Sequence, residues 1–396
     1  MKTNKSSKLT KAILVTLVLL VSASSAFAYP PDNAAVLYYK AAVAYERPDG
    51  TMRDMMSDLA KGKMKANEKI AKHIESNRHV IEYISDAGDI TNCDWGYNYS
   101  KGFDMMMPAL AWCRRLGYLV IADARILADE SDYEVALEHC LSVQKMGCHV
   151  ADKMLVSYLV GTSLNRLANN CIRDILGDMP EDLETLNWLK EQLVKIESKF
   201  PSFQTCIDTE CKMAVMEMWP ERVEAVLMCA EEDISPSDPN SLAYRLSNAD
   251  NEFFERNRDC YKSYIADIQA VLNTAMPYVQ VYAKLHELEG LLEKEAKEKD
   301  APLTLIFAPA FRNIYSIKVR GKTLSNATKA AIEIYMTKVK TGRLPDKLPE
   351  GLPVDLFSGE PFEYEKGSDG FILRCRGKDL SDKEGKIYEY EFKVKK

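Results

Sequence analysis

The sequence lacks the short motifs that mark common hydrolase and zinc sites. It has only five histidines and no C-x-x-C pair, and His286-Glu287 is not followed by the second histidine of an H-E-x-x-H site. The G-x-S-x-G elbow of serine hydrolases is also absent. The sequence therefore predicts no catalytic residue and no cofactor.

Long apolar runs are missing after residue 21. A bilayer span needs roughly 20 consecutive apolar residues, and charged residues interrupt every later candidate. The early run, Ala12–Val21, follows four lysines and precedes the small-residue exit Ala26-Phe27-Ala28. This is the pattern of a secretory signal peptide cleaved after Ala28. We expect residues 1–28 to be that signal, the mature chain to be soluble without a membrane span, and the protein to be periplasmic or secreted.

Positive charge is in deficit. The chain has 52 lysines and arginines against 59 acidic residues, a formal charge of −7. Removing the four lysines of the signal, which carries no acid, lowers that charge to −11. Such a surface argues against nucleic acid and anionic membranes as partners.

Helical periodicity dominates from residue 29 to about residue 300. The first helix is predicted from Asp32 or Asn33 to Glu46, ended by Arg47-Pro48-Asp49-Gly50. Further helices are predicted over 51–61, 65–87, 104–130, 132–150, 152–177, 181–198, 203–230 and 240–299. Proline- or glycine-bearing segments separate them, among them 235–239. We expect an all-α domain over 29–300, built as a helical bundle or a tetratricopeptide-like array.

The ten cysteines leave the redox chemistry open. An even number in an exported chain is typical of disulfides, yet most of these cysteines stand singly on apolar helix faces. Two interpretations stay open: at least one pair of cysteines forms a disulfide, or the cysteines are small buried hydrophobic residues. His139-Cys140 and Cys148-His149 lie two helical turns apart, too far for one metal ion.

The stretch 116–150 resembles one tetratricopeptide unit. Ala124 and Ala136 supply the small residues that let two antiparallel helices approach, and Tyr133 supplies the aromatic residue at the turn. The tryptophan and proline of that family are missing, and no second copy follows at its period. A generic helical hairpin fits the same residues.

The pattern changes after a mixed-charge run, 293–300, and Ala301-Pro302. Residues 303–341 again show helical periodicity, and after them apolar and polar residues alternate with a period of two. Phe362 and Tyr364 alternate with acids, and the segments 371–375 and 388–394 alternate in the same way. We expect 301–396 to be a small α+β module of one helix and a three-stranded antiparallel sheet.

This module resembles the C-terminal half of the type II secretion major pseudopilin. The resemblance rests on Lys340-Thr341-Gly342-Arg343-Leu344-Pro345 and on Asp355-Leu356-Phe357-Ser358-Gly359-Glu360-Pro361-Phe362. Leu356 replaces the proline of that family, and no pilin helix precedes the module. The resemblance implies a calcium loop near the end, with Asp379, Asp382 and Glu384 as the candidate ligands.

Taken whole, the mature chain resembles exported helical proteins of planctomycete bacteria. These combine an N-A-A-x-x-Y-Y helix, here Asn33-Ala34-Ala35-Val36-Leu37-Tyr38-Tyr39, with a helical body and a pseudopilin-like tail. The resemblance implies a compartment and an architecture but no activity.

One loop has a composition suited to ligand binding. Between two predicted helices lie Asp94, Trp95, Tyr97, Asn98 and Tyr99, residue types that stack on sugars and bind their hydroxyls. The same aromatics would also plug the end of a helical bundle. We therefore hold two hypotheses, an exported non-enzymatic helical scaffold that binds a protein partner in the envelope, and a carbohydrate-binding or carbohydrate-active protein that uses the Trp95 loop. The scaffold hypothesis expects an exposed apolar groove on the 104–177 helices.

Overall fold

A computed structural model describes residues 32–180, 182–222 and 241–394. The predicted signal peptide at 1–28, Cys229 and the predicted break at 235–239 lie outside the described residues. Within the described ranges no helix is both long enough and apolar enough to cross a membrane.

The mainly α fold with a small C-terminal sheet is confirmed. Fourteen α-helices and three strands lie in the described ranges. The helices are α1 Ala34–Ala44, α2 Gly50–Ala60, α3 Glu68–Ser76, α4 Arg78–Asp89, α5 Pro108–Asp129, α6 Tyr133–Val150, α7 Leu155–Asp178, α8 Leu183–Glu197, α9 Phe203–Glu217, α10 Leu242–Ser247, α11 Asn251–Leu272, α12 Tyr278–Glu298, α13 Leu303–Phe307 and α14 Phe311–Thr341. The strands are β1 Glu363–Lys366, β2 Gly370–Arg374 and β3 Glu389–Lys393.

Several predicted helices are divided in the structure. The predicted helix 65–87 breaks at Asn77, whose buried side chain accepts a hydrogen bond from the Glu46 amide and donates one to the His73 carbonyl, both at 2.9 Å. The predicted helix 240–299 is three helices, because Asp250 caps α11 by accepting from the Phe253 amide and Pro277 immediately precedes α12. Local capping thus overrides a continuous apolar pattern.

The centre of the fold is the packing of α6 against α5 and α7, with α14 lying along α7. Gly147 and Gly161 let α6 and α7 meet backbone to backbone. A Cβ at Gly161 would lie 2.6 Å from the Cβ of Ala151 and closer still to the Gly147 carbonyl oxygen. Gly321 of α14 leaves room for a side chain of α7, because a Cβ there would lie 2.9 Å from Thr162 Cγ2.

The antiparallel sheet has the strand order β1-β2-β3. Phe371 pairs with Phe392 and Leu373 with Tyr390, and these four side chains are buried on one face. The period-two pattern of the sequence is therefore present. Tyr335 of α14 packs against Phe371 and donates its hydroxyl to the Lys393 carbonyl, which holds the sheet on the helix.

The C-terminal part packs onto the helical body. Buried sheet residues belong to the same hydrophobic core as α1 and α4 to α8, while Leu303, Phe307 and Phe311 belong to a second core with α9, α11 and α12. The division into 29–300 and 301–396 stays a sequence prediction, since both cores include residues from each side of it.

The glycine contact between α6 and α7 makes a stability prediction. Gly161→Ala should lower the free energy of unfolding by about 1–3 kcal/mol, because overpacking outweighs the gain in helix propensity. Gly290→Ala in α12 is the matched control, since nothing lies within 4 Å of its added Cβ. It should raise stability by about 0.5–1 kcal/mol. Urea denaturation followed by circular dichroism measures both, and equal stability of the two variants would contradict the packing account.

Candidate functional site

The Trp95 loop packs against the helical body. Trp95 is only 6% exposed, its ring lies parallel to Tyr38 and Tyr97 at centroid distances of 5.5 and 6.4 Å, and Nε1 donates to the His149 carbonyl at 2.7 Å. The Tyr99 hydroxyl donates to Asp152. Trp95 thus packs into the helical body, while Tyr97 and Tyr99 are half-buried.

The two polar residues of this loop serve its own backbone. Asp94 Oδ1 accepts from the Gly96 amide at 2.9 Å, and Asn98 Oδ1 accepts from the Ser100 amide and hydroxyl. The Trp95 ring is thus buried and these oxygens are engaged, whereas the Tyr97 hydroxyl is buried without a partner among the described residues. Carbohydrate binding at the five predicted residues stays a sequence prediction that these contacts do not support.

The three candidate calcium ligands do not converge on one point. Asp379 is fully buried, and its carboxylate accepts from Arg320 Nε at 3.0 Å, from the Ser381 hydroxyl at 2.7 Å and from the Tyr388 hydroxyl at 3.1 Å. Asp382 and Glu384 lie in the following turn, where Asp382 accepts from the Glu384 amide at 3.1 Å. In the described ranges, no group of three or more His, Cys, Asp or Glu residues is placed to hold a metal.

Asp379 instead makes a structural ion pair. Burial alone would raise the pKa of its carboxyl, but hydrogen bonds from Ser381 and Arg320 outweigh that effect and hold the pKa below its usual range. The Tyr278 hydroxyl also reaches Asp379, at 3.3 Å. The C-terminal turn is therefore tied to both α12 and α14.

The strongest candidate site is a cavity of about 410 Å³ between α6, α7, α8 and α14. That volume lies within the range of small-molecule sites. Its apolar wall includes Tyr158, Phe200 and Phe203. The ring centroids of Phe200 and Phe203 each lie 5.3 Å from that of Tyr158. Exposed Ser202, Asn273 and Lys322 line the same cavity and give it a solvent-facing side. The remaining lining side chains are predominantly polar: Gln144, Thr162, Asn165, Asn169, Glu197, Gln204, Lys318 and Ser325.

Three amide side chains in this wall have unused hydrogen-bonding groups. Asn169 is 3% exposed; its Nδ2 donates to the Asn165 carbonyl at 2.9 Å, but its Oδ1 has no partner among the described residues. Asn165 Oδ1 is likewise buried without a partner. Gln144 is 4% exposed, and its amide makes no hydrogen bond to a described side chain or backbone group. Each of the two buried asparagine oxygens costs about 1–3 kcal/mol unless water or a ligand satisfies it.

Lys318 of α14 adds an uncompensated positive charge. Its Nζ lies 5.0 Å from the Phe203 ring centre and 5.5 Å from that of Tyr315. The described acids give it no ion pair, because Glu197, the acid in the cavity wall, is engaged by Lys322 and Lys329. Burial, followed by repulsion from Lys322, lowers the pKa of Lys318 from its usual 10.5.

A second cavity, of about 730 Å³, shares the 196–202 turn with the first. Four lysines and two aspartates line it: Lys145, Lys153, Lys195, Lys199, Asp89 and Asp152. Asp89 is paired with Lys145 at 2.7 Å, and Asp152 accepts from Tyr99. Positive charge therefore collects around this turn in a chain whose overall charge is −7.

Comparison with protein-family models, curated proteins and solved structures finds no match to this chain. The tetratricopeptide, pseudopilin and planctomycete resemblances stay predictions. The chemistry of the cavity is therefore the feature of this chain that points to a function.

Sequence reasoning missed the cavity because no motif marks it. Its polar residues come from positions 144, 165, 169 and 318 and meet only in the folded chain. A weak signal was present, since Asn165 and Asn169 stand one helical turn apart within the apolar α7 and Gln144 stands in the apolar stretch of α6.

The unpaired charge of Lys318 predicts a stability gain on its removal. A lysine whose pKa is lowered in the folded state destabilises the fold below that pKa, and the penalty fades as the pH rises towards 10.5. Lys318→Met should therefore raise the free energy of unfolding by about 1 kcal/mol at pH 7. The difference should shrink at pH 10.

Urea denaturation at both pH values measures this effect. Lys340→Met, exposed on the same helix, is the control and should change stability by less than about 0.5 kcal/mol. A Lys318→Met variant less stable than the wild type would show that Lys318 is a structural residue.

Proposed function

We propose that the protein is an exported, non-enzymatic helical binding protein that holds a small organic anion in the cavity beside Lys318. The observation that carries this proposal is one cavity wall that holds the buried, unpartnered Oδ1 atoms of Asn165 and Asn169 beside the half-buried Lys318, which makes no ion pair with a described acid. Export rests on the predicted signal at 1–28, and the non-enzymatic role on the absence of a catalytic motif.

The charge of the cavity favours an anion. Glu197 is already neutralised by two lysines, so the ammonium of Lys318 is the charge that lacks a counterion. A buried ammonium is stabilised when a carboxylate or similar anion comes within hydrogen-bonding distance. The lysines around the 196–202 turn would also attract anions from solution.

The walls favour a ligand that is partly apolar and carries hydrogen-bonding groups. Gln144 and the two asparagines offer both amide N–H donors and carbonyl acceptors. Tyr158, Phe200 and Phe203 offer aromatic surface in the same cavity. A carboxylate with an amide or hydroxyl group and an apolar side chain satisfies all three kinds of contact.

The protein-partner version of the scaffold hypothesis has less support. An exposed apolar groove was expected on the 104–177 helices, but the strongly exposed large apolar side chains of this stretch are Met106 and Val156, which do not form a groove. A partner in the envelope stays a prediction without a surface assigned to it.

A matched pair of probes tests the proposed function. N-acetylphenylalanine and its neutral amide have nearly the same shape and differ by one negative charge. The acid should bind at least about tenfold more tightly than the amide at pH 7, because it alone pairs with Lys318. Isothermal titration calorimetry measures both.

Two variants separate charge from hydrogen bonding in this experiment. Lys318→Met should remove the difference between acid and amide, whereas Asn169→Leu should weaken both by about fivefold. Lys340→Met is the control and should bind as the wild type does. Equal binding of acid and amide, or binding of neither at millimolar concentration, contradicts the proposal.

The affinity for the acid should fall as the pH rises. A bound carboxylate raises the pKa of Lys318, so the complex holds a proton that the free protein loses once the pH passes the lowered pKa of that lysine. Burial raises the pKa of Tyr158 and Tyr315, so these two tyrosines remain neutral in this window. Titrations between pH 7 and 10 should show the decline in the wild type and a flat profile in Lys318→Met. A flat profile in both would exclude Lys318 as the anion's partner.

A further inference from the structure

We propose that a cavity of about 520 Å³ between α2 and α5 is a separate binding site for a small phosphate monoester. The two helices pack on each other, and four arginines line the cavity: Arg47, Arg53, Arg114 and Arg115. This cavity shares no lining residue with the cavity beside Lys318. The inference therefore goes beyond the proposed function and does not depend on it.

Helix α5 contributes its side of the cavity as one stripe of residues. Ala111, Arg114, Arg115 and Tyr118 stand at positions i, i+3, i+4 and i+7, which lie on one helix face, and all four line the cavity. Ala111 and the two arginines are exposed, whereas Tyr118 is half-buried. A ligand from solution can therefore reach both guanidinium groups.

Three of the four guanidinium groups lack a counterion. Those of Arg47, Arg114 and Arg115 make no ion pair or hydrogen bond with a described residue. Asp54 is the acid in the cavity lining, and its Oδ1 lies 3.7 Å from Arg53 Nε. Both side chains of that pair are mostly exposed, so the pair is weak and leaves Arg53 able to bind a stronger anion. The cavity thus holds an excess of fixed positive charge.

The remaining walls offer apolar surface and a hydroxyl donor. Met56 is buried, and Tyr45 and Tyr118 are half-buried beside it in the lining. Burial raises the pKa of Tyr45 to about 12, although Arg115 acts in the opposite direction, so this hydroxyl stays protonated at neutral pH and can donate a hydrogen bond. Lys61 adds a further cation, with Nζ 5.5 Å from the centre of the Tyr118 ring.

The kind of charge favours a phosphate monoester over a simple carboxylate. A guanidinium presents its N–H donors as a planar fork that matches two oxygens of a phosphate group. A phosphate monoester carries a charge of about −1.5 to −2 at pH 7 and three acceptor oxygens, so that one group can pair with several arginines. The tyrosine rings and Met56 would contact an apolar or flat organic part of the same molecule. The cavity volume lies within the range of small-molecule sites.

A matched pair of probes tests this inference on the full chain. Phenyl phosphate is a monoester that approaches two negative charges at pH 7.5, and methyl phenyl phosphate is the corresponding diester with one. Isothermal titration calorimetry should show that the monoester binds at least about tenfold more tightly than the diester. Equal binding of the two, or binding of neither at millimolar concentration, would overturn the inference.

Arginine variants assign the binding to this cavity. Arg114→Gln combined with Arg115→Gln should weaken phenyl phosphate at least about tenfold. Arg166→Gln combined with Arg343→Gln removes the same charge from two exposed arginines outside the cavity and should leave the affinity unchanged. Unchanged affinity in the first variant, or loss of affinity in Lys318→Met instead, would contradict the assignment.

A second pair of variants keeps the arginines in place. Ala111→Glu adds a negative charge on the exposed stripe of α5 and should weaken phenyl phosphate at least about tenfold, whereas the neutral Ala111→Gln should bind within about threefold of the wild type. Both replacements are good helix formers, so α5 is retained in each. Equal affinity of these two variants would also overturn the inference. Because N-acetylphenylalanine and Lys318 define the other site, failure at one cavity leaves the test of the other unaffected.

Discussion

The backbone contact of α6 with α7 at Gly147 and Gly161 is the constraint on which the rest of the structure depends. Because neither glycine has a side chain, the helices approach more closely than ordinary side-chain packing allows. A Cβ at Gly147 would lie 2.6 Å from Asn165 Oδ1, so this glycine also leaves the space that the amide occupies. Gly321 leaves room for the Thr162 side chain where α14 meets α7. Small residues on three helices therefore place the polar side chains of α6, α7 and α14 around one cavity.

Two buried carboxylates of this chain are fully satisfied by hydrogen bonds, in contrast to the amides of the cavity wall. Asp355 is fully buried and accepts hydrogen bonds from the backbone amides of Phe357, Arg376 and Gly377, each at 2.9 Å. Asp379 is buried with a guanidinium and hydroxyl groups around it. Against these well-satisfied carboxylates, the Oδ1 atoms of Asn165 and Asn169 both lack a partner among the described residues and belong to the wall of one cavity. Proteins retain such destabilising groups where a function requires them, and a bound ligand supplies the missing partners.

The sequence predicts elements far better than it predicts the site. Period two located the strands around Tyr364, Phe371 and Tyr390 because each strand shows the alternation by itself. Breaks such as Asn77 escaped prediction, since that side chain ends a helix through a contact with Glu46, 31 residues away. The composition of the Trp95 loop suggested a ligand site, although the Trp95 side chain itself is buried against Tyr38 and bonded to the His149 carbonyl from other segments. The burial of Lys318 could not be predicted for the same reason, because the sequence does not distinguish a buried lysine from an exposed one until the neighbouring helices are placed.

The cavity depends on the relative position of α6 and α7, because both helices supply residues to its polar wall. Gln144 lies three residues before Gly147 on α6, and Asn169 lies eight residues after Gly161 on α7. The close backbone contact at the two glycines limits how far α6 can slide or rotate against α7, and so holds the amides of the cavity wall at a constant separation. Preorganised hydrogen-bonding groups bind a ligand with a smaller loss of conformational entropy. A substitution that forces the helices apart at Gly161 would therefore weaken binding at the cavity without touching the ligand.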